Sequence, residues 1–463
     1  MKYLLPILFL AFPIVLQAQV WTKVLGYFNE DDFILQDGGY TVAENSKREI
    51  YLGGGQVGNI IKLDQNGSVL WRKNYDENFV TIDLKILPDD QIVLIGNKFN
   101  EGEDRFESSL IKINDEGEII WKRDYPFGNQ FLHLAVDENN DISLLSVFLT
   151  RSSILYQFSD EGILQDSLIL PWRSSKFFQF DDLNYSFAIG GRGMKEMTKD
   201  GTEVWSDSLA FVRNIIQTHD KQSVFLGSTA ANVFFLTKYS RSGEQLWYKE
   251  YPELGTDIAL YPTATRALTV DTVGNIVLTA NPNNADSFMA KFDQDGNLIC
   301  AETYTLDNLR ANVFIRDIAS TQDQGFVIVG IALSASAAFP ADRVFVMKTD
   351  SLCRFSPDVI FETFRENSVE VVEDTIYAEN FGIKVFPNPT DGVLRFELEL
   401  TGPLQEGNTQ LFFFNAFGQI IHQQELTDFQ FSIDTQEWIK GLHYYEIVEN
   451  GKRLASGKVV VVH

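Results

Sequence analysis

Cysteine is scarce in this chain: 463 residues hold two, Cys300 and Cys353. Two thiols cannot build a cysteine-rich metal site by themselves. Whether they bridge or stay free is open at the level of sequence. Histidine is nearly as rare, with five. Only His133 and His219 precede residue 357, and neither belongs to an H-E-x-x-H or other ligand pair, so both read as structural or surface residues. There is no G-x-S-x-G elbow for a serine nucleophile. Positive charge is in deficit, with 38 Lys and Arg against 64 Asp and Glu, a net charge of −26. Such a surface repels phosphate backbones and anionic lipid, which excludes nucleic acid as the expected partner and suits solubility. Beyond the first twenty residues no apolar run is long enough to span a bilayer, so no transmembrane anchor is expected. No helical period persists over a useful length.

Aromatic and strand-forming residues are abundant. Aromatics make up 13% of the chain, with 37 Phe and 16 Tyr, a composition that favours a β-rich globular protein. The length allows one large domain and one small one. The opening MKYLLPILFLAFPIVLQAQVW has one Lys, an apolar run from Leu4 to Leu16 and a small residue at Ala18. That is the layout of a secretory signal peptide over 1–18, with cleavage expected after Ala18. No Cys lies near this site, which argues against a lipoprotein anchor. Export would permit a disulfide.

A repeat fills the next three hundred residues. IKLDQNGSVLW (61–71) and IKINDEGEIIW (111–121) are its clearest copies. Weaker ones are YQFSDEGILQD, KEMTKDGTEVW, TKYSRSGEQLW and AKFDQDGNLIC, and MKTDSLCRF is a last degenerate copy. Their turn residues are Gly67, Gly117, Gly162, Gly201, Gly243 and Gly296, with Cys353 in the seventh place. The spacing of roughly 40 to 57 residues signals a propeller or solenoid. Each copy has an upstream half such as LPDDQIVLIGN (87–97) or TQDQGFVIVGI (321–331), a polar turn leading into an apolar strand. About four short strands per unit and about seven units make an all-β propeller over 19–356 the expected fold. The segment 37–55 would open blade one, and 313–356 would form blade seven. Six or eight blades would follow if a weak unit is misread.

Within each unit, Asp64 or Asp293 starts a tight hairpin by bonding nearby amides, and Gly takes a positive φ. Trp71, Trp121, Trp205 and Trp247 lie four residues after the Gly, where a ring can pack on the neighbouring blade. Asp166 and Cys300 replace Trp in two units. The D-x-x-G-x-x-x-W spacing is similar to the tryptophan docking repeat of quinoprotein-like propellers. That resemblance implies blade architecture. The quinone enzymes it brings with it need an acidic calcium site and often vicinal cysteines, and no vicinal cysteines occur here. DQDG (293–296) and NDEG (114–117) lack the remaining calcium-loop positions and read as hairpin turns. GGRGM (190–194) has no following helix to cradle a phosphate. The loop LSASAAFPADR (333–343) could line a binding face or be inert surface. No catalytic, cofactor-binding or metal-binding residue is therefore assigned, and no cofactor is expected. Carboxylates meeting in a propeller channel remain an alternative route to a polysaccharide-active hydrolase or lyase.

The pattern changes near the end. Residues 357–380 hold seven acidic residues and one Arg and read as a linker with room for one strand. From 381 to 463, seven short strand-like runs alternate with turns, the signature of a small immunoglobulin-like sandwich. Four blocks stand out in order: KVFPNPTDG, FNAFGQ, KGLHYYEI and SGKVVV. Together they resemble the type A C-terminal sorting domain of the type IX secretion system. The resemblance assigns Pro387, Asn388 and Pro389 to the opening motif and Gly418 to a central hairpin. Gly441 and Tyr444 fall on a G-x-Y element, here with Leu442 and His443 between them, and Gly457 with Lys458 falls on the closing strand. It implies an outer-membrane translocon as partner, in a bacterium of the Bacteroidota type. It also implies delivery to the medium or cell surface after passage through the periplasm. An ordinary immunoglobulin-like adhesion module is the alternative. The expectation for the whole chain is a secreted or surface-attached, non-catalytic propeller that binds a glycan or a protein.

Overall fold

The computed structural model describes residues 20–462, apart from 29–33, 36–37, 56–59, 77–78, 101–104, 126–129, 148–151, 181–183, 190–192, 210, 232, 255–267, 281–286, 305–312, 333–342, 358, 366–370, 373–380, 401–408, 415–419, 427 and 450–451. The expected signal peptide, most of the loop 333–343 and Gly418 lie outside the described residues. Among the described residues, regular structure is strand throughout except for one 3-10 turn at Pro252–Leu254. The chain divides into two compact units, Met1–Val372 and Glu373–His463.

The first unit is a β-propeller. Its described residues form seven sheets that follow one another along the chain. The first sheet takes Gly39–Glu44, Ile50–Gly54, Ile60–Leu63 and Val69–Lys73 in that spatial order. Five more four-stranded sheets occupy 80–125, 130–170, 174–207, 212–250 and 268–303. Neighbouring strands within each are antiparallel, joined by short hairpins. The seventh sheet starts with Val313–Ser320, Phe326–Ala332 and Arg343–Thr349, and its fourth strand comes from the other end of the unit: Trp21–Phe28 pairs antiparallel to Arg343–Thr349, with Trp21 opposite Lys348. The repeat pattern confines this sheet to 313–356, and no turn glycine precedes Trp21 to mark the N-terminal strand as part of it. Along the acidic stretch 357–380, Val359–Arg365 adds a further strand, parallel to Trp21–Phe28. Lys23 Nζ meets Glu362 Oε1 at 2.5 Å, and Thr22 Oγ1 donates to Ser356 O at 2.6 Å.

Burial follows strand position. The second and third strands of the sheets are mostly buried, Ile142–Val147 and Phe288–Phe292 along their whole length, because sheets lie against both of their faces. This is why they read as continuous β-branched and aliphatic runs and not as alternation. The outer strands, such as Ile119–Tyr125, are largely exposed. Hydrophobic clusters sit between successive sheets. One joins Trp21, Leu25, Val327 and Val344 to Val42, Leu52 and Leu63, which ties the seventh sheet to the first.

The second unit is an immunoglobulin-like sandwich. Phe381–Phe386, Val393–Leu400 and Gln430–Asp434 form one sheet. Ile420–Glu425, Thr409–Phe414, Gly441–Glu449 and Lys452–Val461 form the other. Leu394, Phe396, Leu411, Phe413, Ile447 and Val459 bury between them. Phe396 stacks on Phe431 at 4.9 Å, and Phe413 meets Trp438 edge-on at 4.7 Å.

Candidate functional site

Three groups of residues carry the chemistry that can be argued from geometry. The first is the junction between successive sheets. At each turn glycine the backbone has a positive φ, +76° at Gly117. That alone does not demand glycine, since the other hairpin of five units has Arg48, Asp90, Asn140, Lys221 or Gln324 at similar φ. The difference is a neighbour: a Cβ on Gly117 would sit 2.9 Å from the Trp71 ring of the preceding sheet. The same docking joins Trp121 to Gly162, Trp205 to Gly243 and Trp247 to Gly296. Trp21 docks on Gly67, so the displaced N-terminal strand supplies the tryptophan the seventh repeat lacks. Ring nitrogens add hydrogen bonds, from Trp121 Nε1 to Asp160 O at 3.1 Å and from Trp247 Nε1 to Gln294 O at 3.2 Å. In the third sheet, where Asp166 replaces Trp, Leu168 covers Gly201.

The junction between the sixth and seventh sheets is different in kind. Cys300 stands at the tryptophan position and Cys353 at the glycine position, and a disulfide joins them, Cα atoms 6.6 Å apart. Cys353 has φ +65°. A covalent bond thus replaces the ring-on-glycine contact.

A lysine five residues before the turn position recurs in the same junctions, a residue outside the Asp, Gly and Trp pattern of the repeat. Lys62 reaches Asp115 Oδ1 of the next sheet at 2.8 Å, and Lys112 reaches Asp160 Oδ1 at 2.6 Å. Lys291 donates to Ser351 O at 3.0 Å. In the fourth sheet the polarity is reversed: Glu196 holds Arg241 of the fifth at 2.9 Å. Asp115 also accepts from Lys47 Nζ at 2.6 Å and from the Tyr51 hydroxyl. Burial alone would raise its pKa, but the hydrogen bonds from Lys47, Lys62 and Tyr51 outweigh this and hold the carboxyl well below the usual range.

The second group lines the inside of the ring, where the first strands of successive sheets meet and the seventh meets the first. Most of these strands carry a register shift at one place, before Asp83, His133, Asn214 and Asp317 among others. Asp83 Oδ2 accepts from Leu134 N of the third sheet at 2.7 Å, and Asp317 Oδ2 accepts from Val42 N of the first at 3.0 Å. Both carboxylates are buried. His133 Nδ1 lies 3.0 Å from Leu134 O and 3.1 Å from Asp83 Oδ2. Both neighbours are acceptors, which places the ring proton on Nδ1. Arg316 lies over the Tyr40 ring at 5.6 Å. His219 is exposed in a turn, away from this group. Asp64 and Asp293 accept from backbone amides two and four residues on, so both close hairpins. Among the described residues no cluster of His, Cys, Asp and Glu could hold a metal ion.

The third group lies in the second unit. Lys458 stands opposite Tyr444, and Gly457 opposite Tyr445, in the pairing of Gly441–Glu449 with Lys452–Val461. A Cβ on Gly457 would sit 2.4 Å from the Tyr445 hydroxyl, so that ring lies across the glycine. Gly441, with φ +140°, opens the same strand pair. Asn388 crosses to this pair: its Nδ2 donates to Lys458 O at 2.8 Å, and its Oδ1 accepts from Val460 N at 2.9 Å. Pro387 and Pro389, beside it, are exposed, each after a cis peptide bond. Seven of the eight residues assigned from the sorting-domain resemblance therefore lie on one strand pair or its edge.

Residues 384–462 match the family described as the secretion system C-terminal sorting domain. No curated protein matches the chain. Among solved structures, a streptogramin B lyase is similar at 14% identity, covering 71% of this chain and 97% of that one, with a TM-score of 0.51. The Dos1 propeller is 12% identical over 73% of this chain and 97% of that one, with a TM-score of 0.43. BamB from Moraxella catarrhalis is 14% identical over 67% and 83%, with a TM-score of 0.39. At 14% identity the likeness to the streptogramin B lyase speaks for fold and not for activity. The chain is thus a β-propeller that carries, at residues 384–462, a type IX secretion system C-terminal sorting domain.

Proposed function

We propose that this protein is a non-catalytic propeller, exported through its sorting domain to the medium or the cell surface, where it binds a glycan or a protein. Seven blades, one per sheet, form the binding body. The sorting-domain match carries the export half of the reading: a tail of this kind implies handling by the type IX machinery. The non-catalytic half is supported by how the inner-strand acids are held. Asp83 and Asp317 are each directed at a backbone amide of the following sheet, a fixed bond that orders the ring. A general acid or base needs its proton-bearing atom within reach of a substrate, and these oxygens face protein.

The test is a panel of polysaccharides and surface proteins offered to the full chain, reading retention and product release in one assay. Retention without product is the expected result. Release of new reducing ends or unsaturated sugars would replace this reading with that of a hydrolase or lyase.

A further inference from the structure

We propose that the sorting signal is a composite surface, assembled when the side chain of Asn388 clamps the last strand of the sorting domain, and that Asn388 is the residue that positions it. This deepens the export reading and rests on it. The segment Pro387-Asn388-Pro389 cannot pair as an ordinary strand, because proline has no N–H and only the middle residue keeps one. The carboxamide of Asn388 supplies what the backbone lacks. It offers one donor and one acceptor in the arrangement of a peptide group, and it uses both on the edge of Lys452–Val461: Nδ2 to Lys458 O at 2.8 Å, and Oδ1 from Val460 N at 2.9 Å. Thr390 continues the pairing with its own backbone, donating to Val460 O at 2.8 Å and accepting from Val462 N at 2.9 Å, in a parallel bridge to Val461. Thr390 is buried, which fixes the segment in place.

The clamp does not serve the core. Pro387, Pro389 and Lys458 are exposed, and the apolar interior of the sandwich is complete without them. What the clamp achieves is to fix the exposed Pro387-Asn388-Pro389 segment against the backbone of Lys458, itself exposed, although about seventy residues separate them in sequence. The chemistry that fits is a receptor surface of the secretion machinery with an apolar face for the prolines and an acidic group for Lys458. Such a receptor reads a shape and not a linear peptide.

The experiment uses the full chain in a bacterium that has this secretion system, with Asn388→Ala, Asn388→Asp and Lys458→Ala. Two quantities are read: the fraction outside the cell against the periplasmic fraction, and amide hydrogen exchange at Val460 and Val462 in purified chain. Asn388→Ala is expected to speed exchange at those two amides at least tenfold and to cut export at least tenfold. Exchange at Phe413 and Ile447 should be unchanged. Asn388→Asp keeps the acceptor but loses the donor and is expected to fall between. Lys458→Ala leaves the clamp intact, since Lys458 gives it only a carbonyl, and is expected to lose export with normal exchange. Wild-type export of Asn388→Ala with fast exchange would overturn the proposal, as would exchange that does not change. Were Asn388→Ala to lose its core protection, Lys458→Ala decides: wild-type export of that folded variant would overturn the composite surface. Normal export of a chain lacking 381–463 would instead bring down the export reading beneath it.

Discussion

A tryptophan and a glycine in adjacent sheets make the basic contact of this propeller. Glycine is needed at Gly117 because a ring lies on it, not merely because φ is positive; Asp90 and Gln324 hold a similar backbone with side chains of their own. Gly117→Ala is expected to cost about 1–2 kcal/mol from the left-handed backbone alone, and more from the displaced ring. Trp21 is buried in its cluster, so Trp21→Ala should cost about 3–5 kcal/mol, the range for losing a large core aromatic. Urea unfolding followed by fluorescence measures both. Charge at the same junction makes a pH prediction. Asp115 titrates below its unfolded value, so its contribution is complete above about pH 4 and is lost as pH falls further. Asp271 and Asp323 are shifted in the same direction: burial opposes it, and hydrogen bonds from Lys291 and Lys348 prevail. Asp115→Asn should therefore destabilise at pH 7 and flatten the loss of stability below about pH 4, as seen in acid titrations of melting temperature. The tryptophans and glycines were legible in sequence because turn geometry fixes their spacing. The lysine before them stands in both clear copies, in IKL and IKI, and again in the weaker AKF, yet a lysine inside an apolar strand suggests an edge until its partner in the next sheet is known.

Elements explain what residue spacing could not. The seventh sheet borrows its fourth strand from Trp21–Phe28, a pairing across more than three hundred residues that no local pattern announces. The acidic stretch looked like a linker by composition. Its strand Val359–Arg365 forms because Trp21–Phe28 would otherwise leave an open edge, and an open edge accepts any extended segment within reach. The closing strand is therefore held from both sides. A chain ending after residue 372 should keep the melting temperature of the propeller. One ending at 356 should melt lower, by roughly 1–2 °C for each kcal/mol lost, since the unfolding entropy that divides it grows with domain size. The disulfide belongs to this scale too. It closes a loop with a sequence separation of 53. The chain-entropy argument then gives a cost of about 4 kcal/mol for removing it. Cys300→Ser with Cys353→Ser, compared with wild type in denaturant, measures that figure. From sequence the bridge was an even choice, because only the fold reveals that the two cysteines occupy the two halves of one docking position.

At the scale of the whole molecule, address and activity were unequally visible. The sorting domain was legible because its motif residues converge on one strand pair, and such convergence forces fixed types at fixed places in the sequence. A binding face makes no such demand. It draws single residues from many blades, and their meeting depends on ring closure and not on spacing. The loop 333–342, which by sequence could line a binding face or be inert surface, lies outside the described residues, and the inner strands show carboxylates held by backbone amides. Residues 381–463 are expected to direct a folded propeller out of the cell. Fractionating cells that express the full chain beside cells that express a chain lacking 381–463 measures this. Full-length protein is expected outside the outer membrane, and the shortened chain in the periplasm with its propeller folded. Equal delivery of both would contradict it.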